Sequence, residues 1–242
     1  MVLTIHLYRR LMRRARVFWL VLLASVPGVI YAIAGIDVSP DDLSEAFIGI
    51  MLSVGFTYAI AALILTASTL RDERDAGTLP YIYMKPMPRI SLAVSSLFAG
   101  ILAAGTIAVG GWLATVLAGL IHGADMSVVI PGAALLLAAA VGYAAIFVPV
   151  GYLFSRSVLV GLGYLILVEL ALSGLVSGLA QLSIWRIAAS IYVDLVDTTG
   201  LPVEEALGAV SPGVGGGLVK LGVVLVLGLT VLTWALRKRD AL

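Results

Sequence analysis

The sequence predicts an all-α integral membrane protein: six transmembrane helices, an amphipathic interfacial helix at the N-terminus and a short helix in the longest cytoplasmic loop. Three observations predict it. Of 242 residues, 61% are hydrophobic and 12% charged, against roughly 25% charged in a soluble domain. Apolar runs near the ~20 residues a helix needs to cross the hydrocarbon core recur along the chain. Lysine and arginine gather on alternate connections, the asymmetry that sets orientation in a membrane. Residues 1–242 read as one transmembrane domain. The net charge of +1 supplies no global field for nucleic acid. The absence of cysteine excludes disulfides, thiolate metal sites and a cysteine nucleophile.

The first element is the interfacial helix, residues 4–16. At 100° per residue, Ile5, Leu7, Tyr8, Leu11, Met12 and Ala15 fall on one half of a helical wheel. His6, Arg9, Arg10, Arg13, Arg14 and Arg16 fall on the other. Such a helix lies in the membrane surface, its apolar face in the acyl boundary and its arginines anchoring it to anionic headgroups. A basic start that runs into a full-length apolar span without a cleavage site does not read as a signal peptide. The spans follow at about 17–36, 46–70, 90–121, 128–155, 157–180 and 215–236. The third is long enough to tilt or to extend beyond the bilayer. The fourth and fifth are separated only by Ser155, Arg156 and Ser157. Residues 181–214 form an outer segment.

With the N-terminus inside, the inner segments hold the five arginines before the first span, then Arg71, Arg74, Lys85 and Arg89, then Arg156, then Arg237, Lys238 and Arg239. These are 13 of the 15 basic residues. The outer segments are acidic instead, with Asp37, Asp41, Asp42, Glu45, Asp125, Asp194, Asp197, Glu204 and Glu205. Both termini are therefore expected in the cytoplasm.

The longest inner loop, residues 71–89, opens as a charged helix end and breaks at Gly77. It restarts at Thr78, a good N-cap, with Pro80 tolerated in the first turn. Leu79, Ile82, Tyr83 and Pro86 give it a small apolar surface, and Pro86 and Pro88 end it. A short helix of this kind, with Tyr81 and charged neighbours, suits docking to a soluble partner; a solvated loop that merely joins two spans fits the same residues.

The stretch Glu73-Arg74-Asp75-Ala76-Gly77-Thr78-Leu79, followed by Pro86-Met87-Pro88-Arg89, resembles the permease subunits of ABC type-2 exporters. Those chains often carry Glu-basic-x-x-Gly-Thr-Leu after the second span and a Pro-x-Ser/Pro-Arg ending. Pro80 departs from the pattern. The resemblance implies that this loop is a coupling helix seated in a cleft of an ATPase subunit, with Glu73, Arg74, Gly77, Thr78, Leu79, Tyr81, Pro86 and Arg89 as its coupling residues. The basic start is similar to the family's elbow helix, Tyr164 to Leu179 to its fifth span, and Gln181 to Pro212 to the outer segment that dips short helices into the outer leaflet. It implies two copies of the ATPase subunit, which bind ATP and Mg, and a second permease copy, identical or a sister chain. It also implies outward transport across a prokaryotic inner membrane. No cofactor is expected in this chain, which has no P-loop of its own.

Glu169 is the only carboxylate inside a span. Charges at a helix centre cost roughly 2.5–3.5 kcal/mol on insertion scales, so such a residue faces a partner or a cavity. A pathway-lining or dimer-interface group and a hydrogen-bonded tie between helices fit it equally. Ser173, Gly174, Ser177 and Gly178 form two small-xxx-small pairs beside it, which permit close helix packing within or between chains. The few charges along the spans point to an apolar or amphiphilic substrate, such as a lipid-like molecule or drug. Two other readings compete. A secondary transporter or channel would use Glu169 as a proton or ion site. An intramembrane enzyme would need a nucleophile–base or metal constellation, which His6 and His122 at span margins do not supply. The transporter or channel reading would not need the docking loop.

Overall fold

The computed structural model describes residues 2–12, 15–39, 42–77, 88–172, 182–196 and 212–238. The described residues are helical, with no strand among them. In chain order they form α1 (Val2–Met12), α2 (Arg16–Ala24), α3 (Val26–Ala34), α4 (Leu43–Val54), α5 (Thr57–Thr66), α6 (Ser68–Asp75), α7 (Arg89–His122), α8 (Met126–Val129), α9 (Gly132–Leu153) and α10 (Ser157–Tyr164). A π-helical segment, Leu165–Leu172, continues α10, and α11 (Ile184–Leu195) and α12 (Gly213–Lys238) complete the chain.

Three segments are long and apolar enough to cross a membrane singly: α7, α8 with α9, and α12. Five are if each bent pair counts as one span. The third expected span is one 34-residue helix, about 51 Å long, which outruns a ~30 Å hydrocarbon core. It ends at Gly123, whose φ of 71° only glycine adopts without strain. The expected spans 17–36 and 46–70 are each broken. Of the expected fifth span only Ser157–Leu172 is described, and it differs from a plain α-helix by its π-helical second half.

Both breaks have local causes. Between α2 and α3 the chain bends by 44°. Pro27 has no N–H for the Leu23 carbonyl four residues back, and the Thr57 hydroxyl donates to that carbonyl at 3.4 Å. Ser25 donates back to Val21 O at 2.8 Å, a bond that bends helices. Between α4 and α5 the bend is 41°, at Gly55 and Phe56, and Ser53 donates back to Gly49 O at 2.6 Å.

The core centres on α9, which packs against α7, α12, α11, α5 and α6. Pro149 inside α9 releases the Ala145 carbonyl, and α12 crosses at that point through Gly228. A methyl at 228 would stand 2.9 Å from the Ala145 carbonyl carbon, so a glycine is what permits this crossing. α7 lies beside α1, α2, α3 and α5. Tyr58, Leu63, Leu65, Tyr143 and Phe147 fill the main core. A smaller cluster of Leu70, Leu92, Leu97, Tyr152, Leu232 and Leu236 closes the end of the bundle that carries the arginines. α12 leaves Leu218, Val219, Val223, Val226, Leu227 and Trp234 exposed, a surface suited to lipid and not to water.

Candidate functional site

The arginine-rich end is organised by α6, whose sequence Ser-Thr-Leu-Arg-Asp-Glu-Arg-Asp places charged side chains on two sides. One side holds the N-terminal helices. Arg10 forms an ion pair with Glu73, which is 2% exposed, and its Nη2 donates to Asp72 O at 3.4 Å. Arg16 donates to Ser68 Oγ at 2.6 Å and to Asp72 Oδ2 at 3.3 Å. The other side holds the α9–α10 connection. Arg74 Nη1 donates to Tyr152 O at 2.8 Å, taking up a last-turn carbonyl that α9 leaves without a helical partner. Arg71 reaches Ser157 Oγ at 3.4 Å. Asp75, half exposed, pairs with Arg71 at 3.3 Å and Arg74 at 3.2 Å; pairs of this kind contribute at most about 1 kcal/mol each. The buried Glu73 pair matters more, because an uncompensated buried carboxylate is strongly destabilising.

α6 ends where Ala76 and Gly77 donate to Asp72 O and Arg74 O at 3.1 and 3.0 Å, with Gly77 left-handed at φ 66°. The expected coupling residues Glu73, Arg74 and Gly77 thus lie together at the entry to the 71–89 loop. Arg89 opens the first turn of α7. Thr78, Leu79, Tyr81 and Pro86 lie outside the described residues, as do Arg13, Arg14, Ser173, Gly174, Ser177 and Gly178. Of the arginines expected at the membrane surface, Arg9 is exposed, whereas Arg10 and Arg16 turn to α6. On the apolar face of α1, Leu7 and Leu11 are buried within the protein, and Tyr8 hydrogen-bonds Thr106 at 3.0 Å.

Glu169 sits in the π-helical segment and is 7% exposed. Its carboxylate accepts from Ser183 Oγ, Ile184 N at 3.0 Å, Trp185 N at 3.3 Å and Tyr164 OH at 3.3 Å. Ser183 is the N-cap of α11 and itself accepts from Arg186 N at 3.1 Å. The first three amides of α11, which have no partner within the helix, are therefore all satisfied by Glu169 and Ser183. Sequence reasoning missed Ser183, Trp185 and Tyr164 here, and Ser68, Asp72 and Tyr152 at the arginine-rich end. Serine before the apolar run 184–193 is a visible N-cap signal; nothing local identifies Tyr152 O as an acceptor. Among the described residues no cluster of side chains could hold a metal ion. His122 instead hydrogen-bonds Ala32 O at 2.9 Å and packs edge-on against Tyr31.

Apolar helices of membrane-spanning length, joined by charged side chains at one end of the bundle, define a multi-pass membrane protein. The chain matches the family described as ABC-2 family transporter protein over residues 12–174, two thirds of its length, and it belongs to that family. The match runs from the end of α1 to just beyond the π-helical segment; α11 and α12 follow it. Membership makes the chain a membrane subunit of an ABC-type transporter rather than an enzyme, and implies association with an ABC ATPase. No individual curated protein matches the chain.

Proposed function

We propose that this chain is the permease subunit of an ATP-binding cassette exporter. It moves an apolar or amphiphilic substrate, such as a lipid-like molecule or drug, out of the cytoplasm of a prokaryote. Two copies of a separate ATPase subunit bind and hydrolyse ATP with Mg, and a second permease copy, identical or a sister chain, completes the pathway. The chain crosses the inner membrane six times with both ends in the cytoplasm: α2–α3, α4–α6, α7, α8–α9 and α12 account for five crossings and residues 157–180 for the remaining one. α1 lies in the inner surface as an elbow helix.

The observation that carries this reading is the arrangement around α6. The helix that leads into Gly77-Thr78-Leu79 is tied on one side to α1 and α2 through Arg10 and Arg16. On the other it is tied to α9 and α10 through Arg74 and Arg71. A push on the loop is then delivered to most of the bundle and not dissipated in a free connection.

Co-expression with candidate ABC ATPases tests it. One of them co-purifies with the wild-type chain, and Leu79→Asp abolishes that association without changing the amount of folded permease. Transport by the chain without any ATPase would overturn the reading. The native absence of cysteine makes the orientation directly testable. Asp75→Cys and Gly200→Cys are labelled from opposite sides of the membrane; labelling from one side refutes the topology.

A further inference from the structure

We propose that Glu169 and Trp185 are positioning residues that seat α11 on the break in the α4–α5 span, so that straightening of that span and release of α11 are one motion. This rests on the permease reading for its role in transport, and on geometry alone for its existence. α11 begins inside the protein, not at its surface: Ser183, Ile184 and Trp185 are all buried. Glu169 accepts the Ile184 and Trp185 amides. The Trp185 side chain then reaches the break, where its indole donates to Leu52 O at 2.9 Å and its ring stands edge-on to Phe56, centroids 6.3 Å apart. At Gly55 a methyl group would come within 2.7 Å of that ring, so the break is shaped to accept it.

The Leu52 carbonyl links the bend to α11. In an uninterrupted α-helix it would accept from the Phe56 amide, four residues on. Among the described residues no backbone amide bonds it, and the indole of Trp185 takes that place. When the span is bent the indole supplies the donor that Leu52 O otherwise lacks. When it straightens, Phe56 N–H supplies it and the indole becomes a second donor to a carbonyl already satisfied. The indole bond is then worth less, so the bent span and the seated α11 stabilise each other. Two packed arrangements that each favour one state of a neighbour are what couple distant sites. The lower half of the same span is α5–α6, which ends at Glu73 and Arg74. Movement of α6 therefore acts at one end of a rod whose other end is the break.

The test uses the full chain in lipid nanodiscs and exploits its lack of cysteine. Ser190, buried on α11 at 1% exposed and bonded only to the local Ile187 O, becomes the reporter as Ser190→Cys. Ser96→Cys, on α7 at 0% exposed, reports loosening elsewhere. The probe is N-ethylmaleimide. Loss of the hydrogen bonds to the start of α11 in Glu169→Ala raises the Ser190→Cys labelling rate about tenfold or more. Glu169→Gln, which retains one acceptor oxygen, raises it less, and Trp185→Phe, which keeps a ring but not the N–H, raises it about threefold. Ser96→Cys labelling stays unchanged throughout. Spin labels at Glu45→Cys and Ala76→Cys, flanking the break, move apart by about 3 Å in Trp185→Phe as the 41° bend relaxes.

Unchanged Ser190→Cys labelling in Trp185→Phe overturns the inference, as does an equal rise at Ser96→Cys. Trp185→Phe keeps the test decisive if Glu169→Ala does not fold. Failure of the permease reading would show instead as absence of a partner ATPase, with these labelling rates and distances unaffected.

Discussion

Gly151→Ala adds one methyl group where α9 crosses the α5–α6 span, and the outcome follows from what that methyl meets. It would overlap the Ala67 carbonyl oxygen and stand 2.7 Å from its carbon and 2.8 Å from its Cα. The overlap with the oxygen is the limiting contact, because a carbon and a carbonyl oxygen approach to only about 3.3 Å, so the two helices must part by more than ~1 Å. The obstructing atoms are backbone, and no rotamer change relieves them. Overpacking of this kind costs about 1–3 kcal/mol. The neighbouring Tyr152 carbonyl is the acceptor for Arg74 at 2.8 Å, and the parting stretches that bond as well. Tryptophan fluorescence during heating in detergent measures the effect, with a fall of roughly 5 °C at about 2–4 °C per kcal/mol for a chain of this size. Gly163→Ala and Gly222→Ala are the controls. Neither methyl meets any atom within 4 Å, and alanine is up to about 1 kcal/mol the better helix former, so both midpoints hold or rise. Adding Ala67→Gly does not rescue Gly151→Ala, because the side chain is not what blocks it. A Gly151→Ala midpoint equal to the controls, or full rescue by Ala67→Gly, would refute the reasoning.

Other substitutions separate the remaining contributions. Tyr58→Phe and Tyr192→Phe each remove one buried bond, to Ala104 O at 3.0 Å and Val128 O at 3.1 Å; each lowers stability by about 1 kcal/mol in the same thermal assay. Arg74→Lys keeps the charge but not the planar fork that serves Tyr152 O and Asp75 together, so its loss in the same melt approaches that of Arg74→Ala. Asp125, N-cap of α8, accepts the Ser127 amide at 2.8 Å, and that bond holds its carboxyl below the usual carboxylate range. Its contribution is therefore present above the unfolded pKa of about 4 and lost as pH falls through the folded value. Asp125→Ala lowers the midpoint slightly at neutral pH and leaves it unchanged in acid, where the contribution is already lost, so the acid limb of midpoint against pH flattens.

What sequence reasoning reached is what one helix decides for itself. The apolar run 90–121 became Arg89–His122 because length, lack of charge and a terminal glycine all act locally. The break at Ser25 and Pro27 has causes visible within three residues. The break at Gly55 and Phe56 has a local contribution in the Ser53 back-bond, but its Leu52 carbonyl is stabilised by Trp185, 133 residues away. Arg10 and Arg16 were legible as one basic face, and a basic face beside a membrane points to headgroups. Their partners Glu73 and Asp72 lie 63 and 56 residues on, and counting charges by side of the membrane places all four at one surface without pairing them. Glu169 was conspicuous as the lone carboxylate in a span. Most of the donors that justify it come from the start of α11, 14 to 16 residues on.

Those distant partners explain why the polar side chains are where they are. Between helices in lipid there is little hydrophobic force to choose one packing over another, and small residues and hydrogen bonds decide instead. Here glycines at 151 and 228 let α9 approach α5–α6 and α12, which sets distances but permits sliding along the crossing. The polar groups supply what close approach cannot: Arg74 on Tyr152 O sets the height of α6 against α9, Arg10 on Glu73 sets α1 against α6, and Trp185 on Leu52 O sets α11 against the break. Two of these three bonds act on the single span that runs from α4 to α6 at its arginine-rich end, and the third acts at its break. A span held at both places, with an indole on the carbonyl that the bend leaves open, has few ways to move; bending at Gly55 is the one that leaves the α5 packing intact.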